Sequence, residues 1–134
     1  MTYVPSALRR LVIERASQSC EYCLLPDALS FYPHEVDHVI ALKHQGQTVV
    51  ENLAYACWRC NQFKGSDLGS FDPETGDFCF LFNPRKQSWS ERFTLSEGQI
   101  IGRSPEGRTT ASLLKLNVNE RIQERLFVRQ NRAM

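Results

Sequence analysis

The sequence predicts a small α+β fold in which four cysteines hold a structural metal ion. Two C-x2-C pairs, Cys20–Cys23 and Cys57–Cys60, lie in a segment whose patterns indicate two strands followed by a short helix. A chain of 134 residues is long enough for one hydrophobic core. We therefore expect a single domain over residues 1–134, with a core at about 18–68 and a C-terminal extension at about 70–134.

Local patterns predict the elements of the core. Apolar residues recur at helical spacing and predict a helix over residues 6–17, directly after Pro5. The segments 35–41 and 52–57 have the character of strands, and a polar loop joins them. The second cysteine pair then continues into a helix over 58–65, which Gly65 closes.

The extension is predicted to contain further short strands and two helices. Residues 77–82 are apolar on both faces and favour a buried strand. The next segments, 91–95 and 99–103, are typical of a hairpin around a Ser-Glu-Gly turn. Residues 109–116 and 119–131 have helical patterns with a break near Asn117.

Composition favours a globular protein over a membrane protein. Hydrophobic residues make up 42% of the chain, which is an ordinary share. No apolar run approaches the roughly 20 residues that cross a bilayer. The start MTYVPSALRR lacks the apolar region of a signal peptide. We therefore expect a cytoplasmic location and no membrane partner.

The formal net charge of +1 hides an uneven distribution. Residues 1–84 carry six basic and ten acidic side chains, net −4, whereas residues 85–134 carry ten basic and five acidic, net +5. A basic region inside a neutral total is a weak indication of a nucleic-acid partner, because solvated helix faces also collect arginine.

The two cysteine pairs favour a structural zinc site. Zinc prefers four thiolate or imidazole ligands in a tetrahedron, and each C-x2-C turn supplies two sulfurs. Four cysteines leave no open position, so Cys20, Cys23, Cys57 and Cys60 should hold a structural ion. A redox dithiol, or four unrelated core cysteines, are the alternatives. The fifth, Cys79, lies between two phenylalanines and is expected to be a buried apolar residue.

Around these pairs lies a second set of polar residues. Asp37 and His38 are adjacent, Asn52 follows fourteen residues after His38, and Asn61 comes directly after Cys60, the last cysteine of the two pairs. Around these residues the sequence resembles the HNH endonuclease family, over about residues 20–66. The matching segments are Glu35-Val-Asp-His-Val-Ile40, Gly46-Gln-Thr48, Glu51-Asn-Leu53 and Cys57-Trp-Arg-Cys-Asn-Gln-Phe-Lys-Gly65.

The resemblance implies a ββα-metal core and hydrolysis of phosphodiester bonds in DNA, which leaves a 5′-phosphate and a 3′-hydroxyl. His38 would be the general base, a role that suits a group titrating near neutrality. Asp37 and Asn61 would hold a catalytic ion, and Asn52 would brace the loop that orients His38. The third residue of the HNH motif is His by the family name, whereas this sequence has Asn61 there. Because Asp37 and Asn61 offer oxygen ligands, we expect Mg²⁺ or Mn²⁺.

This mechanism sets a condition on the first strand. Neighbouring side chains of a regular strand point to opposite faces, yet Asp37 and His38 must approach one phosphate. We therefore predict that the strand ends, bulges or twists sharply near these residues. A regular, fully paired strand through both would count against the mechanism.

Several residues are candidates for holding substrate, and each has a second interpretation. Lys64 shares a helix face with Asn61 and is expected either to contact phosphate or to cap the helix. His44 lies in a polar loop, where it is either solvated or in reach of substrate. Arg121 and Arg125, with Arg129, form a stripe that either tracks a phosphate backbone or is solvated. Tyr55 and Trp58 are interpreted as core residues rather than base-stacking ones.

The leading hypothesis is therefore an endonuclease with structural zinc, catalytic Mg²⁺ or Mn²⁺, and double-stranded DNA as partner. The main alternative is a non-catalytic zinc module that binds nucleic acid or protein. A third is a nuclease directed at RNA. A pure binding module has no need of Asp37, His38 and Asn61 together.

Overall fold

The computed structural model of the protein describes residues 3–133, with side chains as far as residue 131. Helices alternate with three two-stranded sheets, which confirms the α+β class. The chain forms two compact units. The first contains the described residues up to Asp67 together with Asn83–Lys86, and the second contains Leu68–Phe82 and the residues from Gln87 onward. The single domain over 1–134 stays a prediction.

Between residues 3 and 133, every helix is either too short or too polar to cross a bilayer.

The first unit is built on one hairpin and two helices. Strand β1 (Glu35–His38) pairs antiparallel with β2 (Leu53–Ala56), and helix α2 (Trp58–Lys64) follows β2 after a single residue. Helix α1 (Ser6–Arg15) precedes them and ends two residues earlier than predicted. Strand β1 is also shorter than predicted, because the chain leaves the sheet after His38.

Helix α1 is fixed against β2 by apolar and polar contacts. Val12 on the helix and Leu53 and Tyr55 on the strand are buried together and form the core of this unit. The guanidinium of Arg15 donates hydrogen bonds to the backbone carbonyls of Val50 and Leu53. These bonds satisfy carbonyls at the start of β2 and fix the helix relative to the strand.

The loop between β1 and β2 folds tightly on itself around Gly46. A Cβ atom at this position would lie 1.7 Å from the carbonyl oxygen of Ile40, so a side chain cannot be accommodated. Gln45 beside it has a φ of 71°, in the left-handed region. The path of the loop therefore depends on the missing side chain.

The second unit contains two hairpins and three helices. The first hairpin is β3 (Gly69–Phe71) with β4 (Phe78–Phe80), and the second is β5 (Phe93–Ser96) with β6 (Gln99–Gly102). The helices are α3 (Trp89–Arg92), α4 (Pro105–Leu113) and α5 (Asn119–Ala133). Helix α4 begins four residues before the predicted start, because Ser104 caps it by accepting a hydrogen bond from the Gly107 amide.

Strand β4 corrects one expectation. The segment 77–82 was predicted to be buried. Leu81 and Phe82 are buried, but Phe78 and Phe80 are 58% and 66% exposed. With Phe71 they form an exposed row in which the rings pack edge to face, with centroids 5.8 and 5.9 Å apart. Cys79 is only half-buried instead of buried. A two-stranded hairpin has no second sheet over this face, so apolar side chains pack against one another.

Helix α5 corrects a second expectation. Arg121 and Arg125 are 1% and 8% exposed and do not form a solvent-facing stripe. Arg121 donates to the carbonyl oxygen of Leu114 at 2.6 Å, directly after α4, and Arg125 donates to that of Gly98 at 2.6 Å. The ends of helices and turns leave carbonyls without partners, and these guanidiniums supply them.

We predict that Arg121→Met lowers the free energy of unfolding by about 3 kcal/mol, because a buried carbonyl loses its donor. Urea unfolding followed by circular dichroism measures the change. Arg129→Met, an exposed position on the same helix, is the control and should change stability little. A normally stable Arg121→Met protein with weakened DNA binding would instead support the predicted phosphate contact.

Candidate metal centre and active site

The four paired cysteines converge in the first unit. All are buried, and their sulfurs lie within 4.8 Å of one another. The Sγ atoms of Cys23 and Cys57 are 3.6 Å apart. At a Zn–S distance of about 2.3 Å, tetrahedral coordination places sulfurs roughly 3.8 Å apart. The prediction that these cysteines are positioned to hold a metal is confirmed.

Backbone amides prepare the sulfurs to carry charge. The amides of Tyr22 and Cys23 each donate to Cys20 Sγ at 3.4 Å, and the amide of Cys60 donates to Cys57 Sγ at 3.4 Å. Burial raises the pKa of the Cys20 and Cys60 thiols well above their ordinary value. The hydrogen bond with Cys20 lowers the pKa of the Cys57 thiol instead. Four thiolates buried together repel one another without a cation, and an all-sulfur set of four fits zinc.

We predict one zinc ion per chain, and loss of that ion and of cooperative folding in Cys60→Ser. Zinc binding contributes to folding because the site does not exist in the unfolded chain. Elemental analysis and thermal unfolding with and without a chelator measure both effects. Cys79→Ser is the matched control and should keep its zinc. A Cys60→Ser protein with full zinc content and an unchanged Tm would contradict the assignment.

Beside this cluster the first unit has an open cavity of about 530 Å³. It lies between α1, β1, the turn that follows β1, and the end of α2. The lining residues are Arg9, Glu35, Val36, Asp37, His38, Ala41, Leu42, Asn61, Gly65 and Ser66. Three of the residues singled out from the sequence, Asp37, His38 and Asn61, thus share one cavity.

Asp37 is buried on the inner face of β1. Its carboxylate accepts a hydrogen bond from the Tyr22 hydroxyl at 3.1 Å and forms an ion pair with Lys64 Nζ at 3.1 Å. Burial raises the pKa of Asp37, and the ammonium of Lys64 opposes that rise. Each carboxylate oxygen has more than one lone pair, so these contacts leave capacity for a cation.

Lys64 corrects the expectation of a phosphate contact. Its side chain is 2% exposed, and Nζ donates to the carbonyl oxygens of His38 and Val39, each at 3.2 Å, as well as to Asp37. An ammonium has three donors, and these three partners use them. The buried ammonium of Lys64 therefore fixes the position of the end of β1.

The end of β1 meets part of the predicted condition. The pairing Asp37↔Ala54 and His38↔Leu53 is continuous, which is the regular arrangement expected to count against the mechanism. The strand nevertheless ends at His38, which was one of the predicted outcomes. A residue at the last position of a strand can turn its side chain around the open end, and both side chains line the same cavity.

His38 is half-buried and its ring has a defined partner. Nε2 lies 2.9 Å from the hydroxyl oxygen of Thr48. Because Thr48 is on the loop between β1 and β2, the position of the imidazole depends on that loop.

Asn52 joins both sides of the same loop. Its Oδ1 accepts from the Ile40 amide at 2.9 Å, and its Nδ2 donates to the carbonyl oxygens of Ile40 at 3.0 Å and Gln47 at 2.9 Å. These are the contacts that a bracing residue makes. The bracing role itself stays a prediction.

Asn61 lies on α2 and is oriented by Glu35. Its Nδ2 donates a hydrogen bond to the Glu35 carboxylate. An ionised carboxylate only accepts, so this bond identifies the amide nitrogen and fixes the oxygen on the other branch. With Asp37, the site therefore offers a carboxylate and an amide oxygen, which are the hard ligands that Mg²⁺ and Mn²⁺ prefer.

Sequence reasoning missed four contributors to this site. Glu35 could have been found, because alternate residues of a strand share a face and Glu35 is two before Asp37. Thr48 lies in the matching text but was given no role. Arg9 and Tyr22 approach through tertiary folding, for which no local pattern exists. His44 is exposed and outside the cavity lining, and its substrate contact stays a prediction.

Comparison with known proteins gives one family and one curated relative. Residues 20–67 match the family model described as HNH endonuclease, which covers both the cysteine cluster and the cavity residues on β1 and α2. A segment of 55 residues is 40% identical to a protein named CRISPR-associated endonuclease Cas9 from Corynebacterium diphtheriae. The match spans 40% of this chain and 5% of that relative. No solved structure matches the chain.

Proposed function

On the premise that residues 20–67 form an HNH endonuclease domain, we propose that the protein is a metal-dependent endonuclease that cleaves DNA. The family match supports nuclease activity in general. The observation that carries the finer proposal is the cavity in which Asp37, His38 and Asn61 meet. Hydrolysis of a phosphodiester needs a base, a water molecule and positive charge beside the phosphate, and this set can supply or hold each of them.

His38 is proposed as the base that takes a proton from the attacking water. The hydroxyl oxygen of Thr48 is 2.9 Å from Nε2, close enough to accept a hydrogen bond from Nε2–H. In that tautomer Nδ1 is unprotonated and can accept a proton from water. Thr48 is then a positioning residue, since its contact occupies Nε2 and leaves Nδ1 as the ring nitrogen open to water.

Asp37 and Asn61 are proposed to hold Mg²⁺ or Mn²⁺. The bound ion supplies positive charge to the phosphate and the leaving oxygen. Lys64 fixes the carboxylate of Asp37, and Glu35 fixes the amide of Asn61, so both ligands are oriented before an ion arrives. The separate cysteine cluster is proposed to hold zinc with a structural role.

Arg9 is proposed to bind a nonbridging phosphate oxygen. Among the described residues that line the cavity, it is the one lysine or arginine, and it shares that lining with Glu35 and Asp37. Its Nη2 donates to the carbonyl oxygen of His34 at 3.3 Å, which sets its position beside β1. A guanidinium has five donors, so the others are available to phosphate oxygens.

Replacing His38 with Ala should lower the rate of plasmid cleavage about a thousandfold in Mg²⁺, because the base is lost. Zinc content and circular dichroism should be unchanged. Added imidazole should restore part of the rate, since a free base can enter the space left by the ring. Gel assays with Mg²⁺, Mn²⁺ or EDTA, on DNA and on RNA, measure activity, metal need and substrate together. Full activity of His38→Ala would exclude this residue as the base.

The Arg9→Gln variant should raise KM for DNA about tenfold with a small change in kcat, because a phosphate contact forms before the chemical step. Steady-state cleavage of a short labelled DNA gives both constants. Arg10→Gln, at an exposed position on the same helix, removes the same charge and should leave KM near the wild-type value. Equal effects of the two variants would mean that only overall charge matters.

A further inference from the structure

We propose that Phe31, Tyr32 and Trp58 form an aromatic platform on which an unpaired nucleotide next to the scissile phosphate stacks. The inference rests on the proposed function and narrows its substrate to nucleic acid with single-stranded character at the cut. It concerns three side chains that the mechanism above does not use.

The three rings are in contact, and two of them are exposed. Trp58, which the sequence indicated to be a core residue, is only half-buried. The Phe31 and Tyr32 centroids are 5.0 Å apart with planes at 75°, and the Tyr32 and Trp58 centroids are 4.8 Å apart with planes at 70°. Phe31 is 89% exposed and Tyr32 is 50% exposed. Scattered single apolar residues are ordinary on protein surfaces, but a contiguous aromatic patch indicates a binding surface.

The loop that carries Phe31 and Tyr32 is held in place. Ser30 Oγ donates to the Tyr32 carbonyl oxygen at 2.6 Å. Two residues further on, His34 is 1% exposed, and its Nε2 lies 2.8 Å from the carbonyl oxygen of Leu25. The aromatic side chains are therefore presented by a fixed backbone, which reduces the entropy lost when a base stacks on them.

The platform lies next to the proposed catalytic ligands along both elements that carry them. Trp58 is three residues before Asn61 on α2, so the two share a helix face about 4.5 Å apart along the axis. Tyr32 is three residues before Glu35. The offset along the helix is comparable to the rise of about 3.4 Å per nucleotide of a stacked strand, so a base on the platform would belong to a nucleotide near the scissile phosphate.

Charge favours nucleic acid as the occupant. The guanidinium carbon of Arg59 lies 5.6 Å from the centre of the Trp58 ring, which adds a cation to the aromatic surface. The exposed row Phe71, Phe78 and Phe80 gives a contrast, because its connecting turn carries the acidic residues Glu74 and Asp77. Among the described residues, a cation–π contact is seen at Trp58 and not at this row, so the row suits a phosphate backbone less well.

Stacking on the platform requires a base that is free on one face. In a continuous duplex both faces of each base are covered by neighbours, whereas an unpaired base can stack on an aromatic side chain. The platform thus predicts a preference for gaps, flaps or single strands over fully paired DNA.

The test compares Phe31→Ala with Phe71→Ala, an equally drastic change at another exposed phenylalanine. Labelled substrates with one identical cleavable sequence are supplied as a full duplex, as a duplex with a short gap, and as single-stranded DNA and RNA. Phe31→Ala should raise KM about tenfold for gapped and single-stranded substrates, with a much smaller change for the full duplex. Phe71→Ala should match the wild type on all of them.

Binding provides a readout that is independent of cleavage. Fluorescence anisotropy of a labelled single strand, without added Mg²⁺, should show the same weakening in Phe31→Ala. An unchanged Kd, or an equal change for paired and unpaired substrates, would overturn the platform. If the wild type cleaves none of the substrates, the proposed function fails, and the anisotropy comparison still decides whether the aromatic residues bind an unpaired strand.

Discussion

The amine of Lys64 is the contact on which the geometry of the cavity depends. It reaches from the last turn of α2 to the end of β1, where it pairs with the Asp37 carboxylate and donates hydrogen bonds to the backbone carbonyls of His38 and Val39. A buried carboxylate without a cation would be costly, and so would carbonyls left unpaired where a sheet ends. One ammonium group removes both costs, and it thereby sets the position of the strand end relative to the helix.

The other end of α2 is fixed by the cysteine cluster. Cys57 caps the helix and Cys60 lies within its first turn. A helix of seven residues is too short to be stable alone in water, so its conformation depends on these attachments. Asn61 lies between the two anchors, and its direction is set further by Glu35. The cysteine cluster and the proposed catalytic ligands are thus linked through one short helix.

Sequence reasoning was most successful where function depends on local spacing. A C-x2-C pair places two sulfurs on one side of a metal site within four residues. Asp37 and His38 could be recognised together because they are adjacent in the sequence. Sequence reasoning failed where it had to decide whether a side chain is buried in the core or exposed to solvent. The spacing of Arg121 and Arg125 correctly puts them on one face of α5, but periodicity cannot say that this face is buried under backbone carbonyls. For the apolar strand around Cys79 the error is the reverse, because the strand was predicted to be buried and its phenylalanines are exposed. Nothing in its composition indicates that one face of its hairpin is uncovered. Arg9 came to the cavity through packing of α1 on β2, which no local pattern encodes.

The tight loop around Gly46 has a constrained backbone but exposed side chains at Leu42–His44. Its backbone path is constrained, because no side chain fits against the carbonyl of Ile40 and because Asn52 ties the loop at three points. The segment Leu42–His44 is exposed, and Leu42 also lines the cavity. Changes in these three side chains can therefore alter the surface of the cavity, while the contacts of Gly46 and Asn52 keep the backbone path and with it the place of the His38 imidazole.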